Sequence, residues 1–481
     1  MIPLLGFAPD ADVTTPGVIS NCANLIPYQN GMEGAPEPAT PASTPVLAAA
    51  CIGAAVVSKL DDTRRIIAGT TTKLYELVSG AWSDVSRVAV YTGGVDTRWA
   101  ITQFGDATLC ANRADVIQRS TGAAFSDISG SPKAEIIFTV GAFVMALNLN
   151  DGSEKPDGWQ CCAAFDDTLW TPSLATQATA GRLVATAGRL TAGMRLGEYA
   201  IAYKTRSIYL GQYVGAPTVW NWIQVPGGDA GCVGKEAICD IGGAHFFVGD
   251  DNLWIFDGTR PIPVADGFVR QFFYDNSNPA YRYKTICTFD RQKNLVWVFY
   301  PSLGSTVPNA AIVYHITAKK WGVANRTIEA ALNYVSNGVT IDGLSAISAT
   351  IDGLSSYSFD SQFWLAGGKS MSIFNASHQL QSMTGASVAS SMTTGEVGDD
   401  DAVSALNRIR IRYAVAPTSA SVQTFIQQNS GVGFTAETSG AVLDGKFDLR
   451  QSARWHKATF SFTGPVRLTH MDASLTKAGM R

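Results

Sequence analysis

One local pattern recurs along most of this chain: a β-rich run, a turn, a second run carrying an aromatic, and another turn. "RRIIAGTTTKLYELVSGAWSDV" (64–85) has Tyr75 in its second run and Trp82 beyond the hairpin. "DATLCANRADVIQRSTGAAFSDI" (106–128) repeats it with Phe125 in place of the tryptophan. "EYAIAYKTRSIYLGQYVGAPTVWNWIQV" (198–225) ends in Trp220 and Trp222, and "AHFFVGDDNLWIFDGTRPIPV" (244–264) turns at Gly249-Asp250-Asp251-Asn252. "NLVWVFYPSLGSTVPNAAIVYHITAKKWG" (294–322) and "SQFWLAGGKSMSIFN" (361–375) are further copies. "AEIIFTVGAFVMALNLN" (134–150) with "CCAAFDDTLW" (161–170) is a degenerate one. Runs bounded by Gly, Asn and Asp read as hairpins. A lone hairpin cannot bury its apolar face. Sheets stacked side by side can, and a ring of them is a β-propeller. The uneven spacing leaves a large irregular β-sandwich as the competing architecture. Long helical periodicity is absent, which argues against α/β folds.

Composition narrows the function classes. The chain has 481 residues, 46% of them hydrophobic, enough for a large core. Charged residues are 16%, against about 25% in ordinary soluble domains. Surface buried in an assembly, or simply a large core, gives such a figure. The net charge of −4 argues against tight, non-specific nucleic-acid binding. Eight scattered cysteines do not make a disulfide scaffold and read as buried thiols. The N-terminus lacks the basic start of a signal peptide. The longest apolar runs, 46–57 and 136–149, fall short of the ~20 residues of a membrane helix, so no membrane segment is expected.

Three segments are expected. Residues 1–45, with "EGAPEPATPASTP", read as an extended N-terminal arm whose apolar Ile2, Leu4, Leu5 and Phe7 dock on a surface. Residues 46–387 read as the β-propeller, with a loop insertion near 335–360 that contains Thr-Ile-Asp-Gly-Leu-Ser twice, at 340–345 and 350–355. Residues 388–481 change style and read as a C-terminal antiparallel β-sandwich. Its alternation Arg408-Ile409-Arg410-Ile411-Arg412 places three arginines on one face, to touch DNA, to face solvent or to pair with acids.

The candidate chemistries each fall short on residue type or spacing. Cys232, Cys239 and His245 lack the paired C-x-x-C of a zinc site. "DGSEKPDG" (151–158) has Lys155 where a calcium loop needs a ligand and lacks its glycine. "SGAWSD" and "GDDNLW" only approximate the Ser-x-Asp-x-Gly-x-x-Trp turn of sialidase propellers. A glycosidase needs two converging carboxylates. Asp166-Asp167, Asp250-Asp251 and Asp399-Asp400-Asp401 are adjacent acids and read as turn residues. The histidines His245, His315, His378, His456 and His470 lie in separate elements. No catalytic, cofactor-binding or metal-binding residue is assigned, and no cofactor is expected.

Several stretches, in order along nearly the whole chain, resemble the tail nozzle proteins of short-tailed bacteriophages, also called tail hub or packaged-DNA stabilisation proteins. "GEYAIAYKTRSIYLGQYVG" and "GCVGKEAICDIGGAHFFVGDDNLWIFDGTRPIPVA" are similar to successive blades of that family. "TFDRQKNLVWVFYPS" with "AIVYHITAKKWGV" is similar to a blade closed by tryptophan, and "RWHKATFSFTGPVRLTHMDASL" to its final strands. The resemblance implies a homohexameric ring below the portal and its adaptor, in the virion tail, joined to tail fibres or a tip protein. Such a ring retains packaged double-stranded DNA and conducts it at ejection, without sequence-specific binding and without catalysis. A receptor-binding or fibre-attachment protein is the alternative, and a propeller glycosidase acting on host glycans the remoter one.

Overall fold

The structure, a computed structural model, describes residues 2–40, 45–94, 96–227, 229–335, 350, 369–429 and 431–480. Among these the chain is all-β, with one seven-residue helix, Arg270–Asn276. It forms a β-propeller joined to a β-sandwich.

Six self-contained antiparallel sheets of four strands stand in the ring, and the first four strands of a larger sheet take a further place. In chain order, the first blade opens on Ala54–Ser58, the second on Ala100–Phe104, the third on Ala134–Val140 and the fourth on Leu190–Leu196. The fifth opens on Ile238–Asp240, the sixth on Ile286–Asp290 and the last on Ala330–Val335. These opening strands contact one another in sequence around the axis, and that of the last blade meets that of the first. The recurring units of the sequence fall on successive sheets; of the unit 361–375, residues 361–368 lie outside the described residues and Lys369–Phe374 is a strand of the last blade. The repeated Thr-Ile-Asp-Gly-Leu-Ser motif and its loop lie outside the described residues except for Thr350.

Aromatics fill the blades and the spaces between them. Trp297, Trp321, Phe246, Phe247, Phe256 and Phe299 are almost wholly buried. Trp321 lies 4.5 Å from Tyr314 between ring centroids, on the next strand of the same blade. Residues 136–149, the longer apolar run, are the two strands of a tight hairpin in the third blade, Ala134–Val140 and Phe143–Asn150. No helix among the described residues is long and apolar enough to cross a membrane.

The N-terminal segment departs from a simple arm. It is extended and lies on the body, but it also completes the body. Glu37–Ala39 pairs with Leu380–Gly385 as the fourth strand of the last blade, so the start of the chain closes the ring. Leu25–Tyr28 extends the sixth blade beyond Lys320–Ala324 and turns back through Gly31–Gly34 onto the C-terminal strand Arg467–Met480. Gly31 is required there, because a Cβ would stand 1.9 Å from the Leu468 carbonyl oxygen. The propeller therefore does not begin at residue 46, nor is the sandwich confined to 388–481.

The sandwich has two sheets. One is the continuation of the sixth blade through Arg467–Met480, Ala402–Val415 and Lys446–Ala453. The other runs Gly6–Phe7, Val18–Ala23, Ala389–Thr394, Trp455–Thr463, Ser419–Gln427, Thr435–Ala441. Alternation points Leu406, Ile409 and Ile411 inward to share a core with Val422, Phe460 and Phe462. That core runs without a break into the apolar interior of the fifth and sixth blades. A ten-stranded sheet thus crosses from ring to sandwich, and the two behave as one packed body.

Candidate functional site

The arginine row falls where alternation places it. Arg408, Arg410 and Arg412 lie on the outer face of Ala402–Val415, with Ile409 and Ile411 buried behind them. The Arg408 guanidinium pairs with Asp448 on the neighbouring strand and holds that carboxyl below its usual range. Arg410 stands opposite Lys446 on one side and Asp472 on the other, and Arg412 opposite His470. The row is a mixed-sign face with a basic edge at Arg410 and Arg412, both exposed.

The apolar residues of the N-terminal segment separate. Leu4 and Phe7 are buried in this chain's own core at 1% exposure each, and Phe7 packs edge-on against Phe272 at 4.9 Å. Ile2 is half-buried and lies in a strand opposite Met471. Leu5 alone is exposed, at 40%.

A second site has no counterpart in the sequence reading. A cavity of about 710 Å³ opens at the end of the ring where the blades' first strands begin. Its wall carries charged residues from almost every blade. Arg98, Arg189, Lys235, Glu236, Lys284 and Glu329 each stand one to three residues before a first strand. Arg98 is the centre of the network. Its Nε donates to Glu236 at 2.7 Å and its Nη1 to the Glu329 carbonyl at 2.9 Å. The Lys235 ammonium donates to the Arg98 carbonyl at 2.7 Å. Burial pushes this amine down to about 8, with Arg98 adding repulsion and Glu135 and Glu236 opposing it.

The acids of the wall are committed. Glu329 accepts from the Cys51 amide at 2.9 Å and meets His378 Nδ1 at 2.6 Å. Asp96 is held below its usual range, first by Lys284 at 2.9 Å and also by the Tyr283 hydroxyl. Glu135 accepts from Asn148 at 2.5 Å. The signal that could have located this wall is the basic or acidic residue just ahead of each first strand. It is faint in sequence, because those residues are more than 40 positions apart in most cases and differ in type.

Several of the other polar candidates have structural partners, while His470 Nδ1 is buried without one among the described residues. His245 is buried between the Tyr203 hydroxyl at 2.8 Å and the Arg195 carbonyl at 2.9 Å, so both ring nitrogens are engaged. Asp166 closes a turn onto Thr168, Asp167 pairs with Arg119, Asp250 pairs with Arg206 and Asp399 closes a turn onto Asp401. All eight cysteines are unpaired and buried, and burial raises the Cys22 and Cys51 thiols to about 12. Among the described residues no three His, Cys, Asp or Glu side chains gather as metal ligands.

No protein-family model matches the sequence, and no curated protein is similar to it. Similar solved structures are propeller proteins. PorZ of Porphyromonas gingivalis, a bacterial surface component of a type-IX secretion system, aligns at TM-score 0.36 and 10% identity. The alignment covers 61% of this chain and 36% of PorZ, little more than a third of that protein's length. YCF48 bound to D1 peptide aligns at 0.33 and 12% identity, over 60% of this chain and 84% of that one. YCF48 from Cyanidioschyzon merolae aligns at 0.33 and 10%, over 60% and 88%.

Proposed function

We propose that this chain is a structural virion protein, a tail nozzle subunit that acts in a homohexameric ring to retain packaged DNA and conduct it at ejection. The observation that carries the reading is the ten-stranded sheet shared by propeller and sandwich. A tube wall under pressure must resist bending, and a sheet whose hydrogen bonds cross from one unit to the next leaves no hinge between them. The segments similar to tail nozzle proteins also fall in order on the fourth, fifth and sixth blades and on the last two strands.

The charge balance suits a conduit. Each phosphate contact adds salt-dependent affinity, and a wall that grips cannot let DNA slide. At −4 per copy the ring repels DNA as a whole, and screening over about 8 Å leaves only wall-lining charges to act. Arg410 and Arg412 are among the exposed cations of the sandwich that such a wall would use sparingly. The adaptor above and the fibres or tip below are the partners of this arrangement.

Particles assembled without the protein should package DNA and then lose it, as measured by retained genome per particle. Full retention, together with hydrolysis of a host glycan by the purified protein, would overturn the nozzle in favour of an enzyme.

A further inference from the structure

The axial cavity has a donor surplus that the fold itself does not use. Glu135, Glu236, Glu329 and Asp96 all have partners inside the wall. The cations do not balance them. Lys235 has three N–H donors and spends one on a carbonyl. The Arg113 Nε is buried without an acceptor, while its Nη2 reaches Glu154 at 3.3 Å on the rim. The Arg98 Nη2 is in ionic contact with Glu236 at 2.5 Å yet lacks an aligned acceptor. Arg189 is exposed at the wall and has no ion-pair partner among the described residues. Buried donors without acceptors are rare in folded proteins, and an ion in the site is one of their ordinary explanations.

We propose that the axial cavity binds a small organic anion, its carboxylate or phosphate held by Lys235 together with Arg113 and Arg189. The volume, about 710 Å³, is that of a small-molecule site. Pre-formed donors in a concave, partly desolvated setting favour an oxyanion more than the same groups would on an open surface. Burial lowers the proton affinity of Lys235, and an anion beside it restores the charged form. The site is independent of the nozzle reading, because it lies on the ring axis of a single chain and not on a wall built by several.

The test is isothermal titration calorimetry of the full chain at physiological salt with citrate, glucuronate and inorganic phosphate. The three probes separate a carboxylate ligand from a phosphate one. At least one should bind at neutral pH. Its affinity should fall at least tenfold in Lys235→Met and several-fold in Arg189→Gln, an exposed site whose change leaves the fold intact. Affinity should also fall between about pH 7 and pH 9, as Lys235 loses its proton. The charged groups that face it from the neighbouring blades are Arg98, Arg113, Arg189, Lys284, Glu135, Glu236, Glu329 and Asp96. No heat with any of the three probes overturns the proposal, and so does binding that is unchanged in Arg189→Gln and insensitive to pH. If Lys235→Met does not fold, Arg189→Gln and the pH series decide.

Discussion

Trp321 shows how a single residue ties two layers together. It is 1% exposed, packs with its ring tilted against Tyr314, and its backbone lies under the N-terminal segment, where a Cβ on Gly6 would stand 3.1 Å from the Trp321 carbonyl oxygen. Trp321→Ala should destabilise by about 3–5 kcal/mol, the usual cost of truncating a buried aromatic. A denaturant titration with an unchanged midpoint would refute this. The histidines give a second residue-scale expectation. Burial lowers His245, His315 and His456 from the ordinary 6.5. In each, a ring nitrogen accepts a hydrogen bond that protonation would remove or oppose: from Tyr203, from the Ala318 amide and from Gln451 respectively. Their folded values lie below their unfolded ones, so the unfolded chain takes up protons first as pH falls. The contribution of these histidines should therefore be level above about pH 7, and stability should decline as pH drops below about 6.5. Thermal midpoints measured from about pH 8 to about pH 5 check this, and a midpoint constant over that range would contradict it.

At the scale of elements, the N-terminal segment acts as a stitch. The helix Arg270–Asn276 has no capping side chain of its own, since Val269 occupies that position. Asp10 supplies the cap from across the chain. Its carboxylate accepts from the Gln271 amide at 2.5 Å and the Phe272 amide at 3.0 Å. Asp10→Ala should cost about 1 kcal/mol, as loss of an N-cap does, with hydrogen exchange faster in this helix than in the blades. Deleting residues 1–12 removes this cap together with buried Leu4, Phe7 and Ala8. An arm that only docks on a surface would let this deletion spare the soluble fold and weaken assembly alone. The packing predicts a lower thermal midpoint for the truncated monomer itself, and an unchanged midpoint would restore the simpler arm. Glu33 fixes the same segment at its other end, through Lys293 at 3.0 Å on the sixth blade and Arg467 at 2.8 Å on the C-terminal strand.

At the scale of the molecule, the ring depends on closure by a remote strand. Glu37–Ala39 is the outer strand of a blade whose other strands begin at residue 330. Closing a loop of this length carries an entropic cost that grows only slowly with length, and it holds the two ends of the ring together. Removing residues 1–40 leaves the last blade with an unpaired edge, which is a template for aggregation. The truncated chain should elute as soluble aggregate or fail to express in soluble form. A monodisperse product with an all-β far-UV spectrum would show that the closing strand is dispensable.

The repeated hairpin units, with Tyr75, Phe125, Trp220 and Trp321 set in or after them, made the propeller legible from the sequence. Strand alternation and turn residues are local properties, and each copy carries its own signal. The same locality made Arg408, Ile409, Arg410, Ile411 and Arg412 readable as an outward and an inward row. What the sequence could not specify is everything that depends on a remote partner. Glu37–Ala39 carries two acid-or-proline-rich residues and no strand pattern, and it becomes a strand only because Leu380–Gly385 offers an open edge. Leu4 and Phe7 look like a docking patch until the sandwich is folded around them. The charged wall of the axial cavity exists only once the blades stand in a circle and bring Arg98, Arg189, Lys235 and Glu329 to one end of the axis. Local chemistry thus determined the elements, and tertiary structure alone decided their closure and the place where their charges meet, because both are set by contacts between residues hundreds of positions apart.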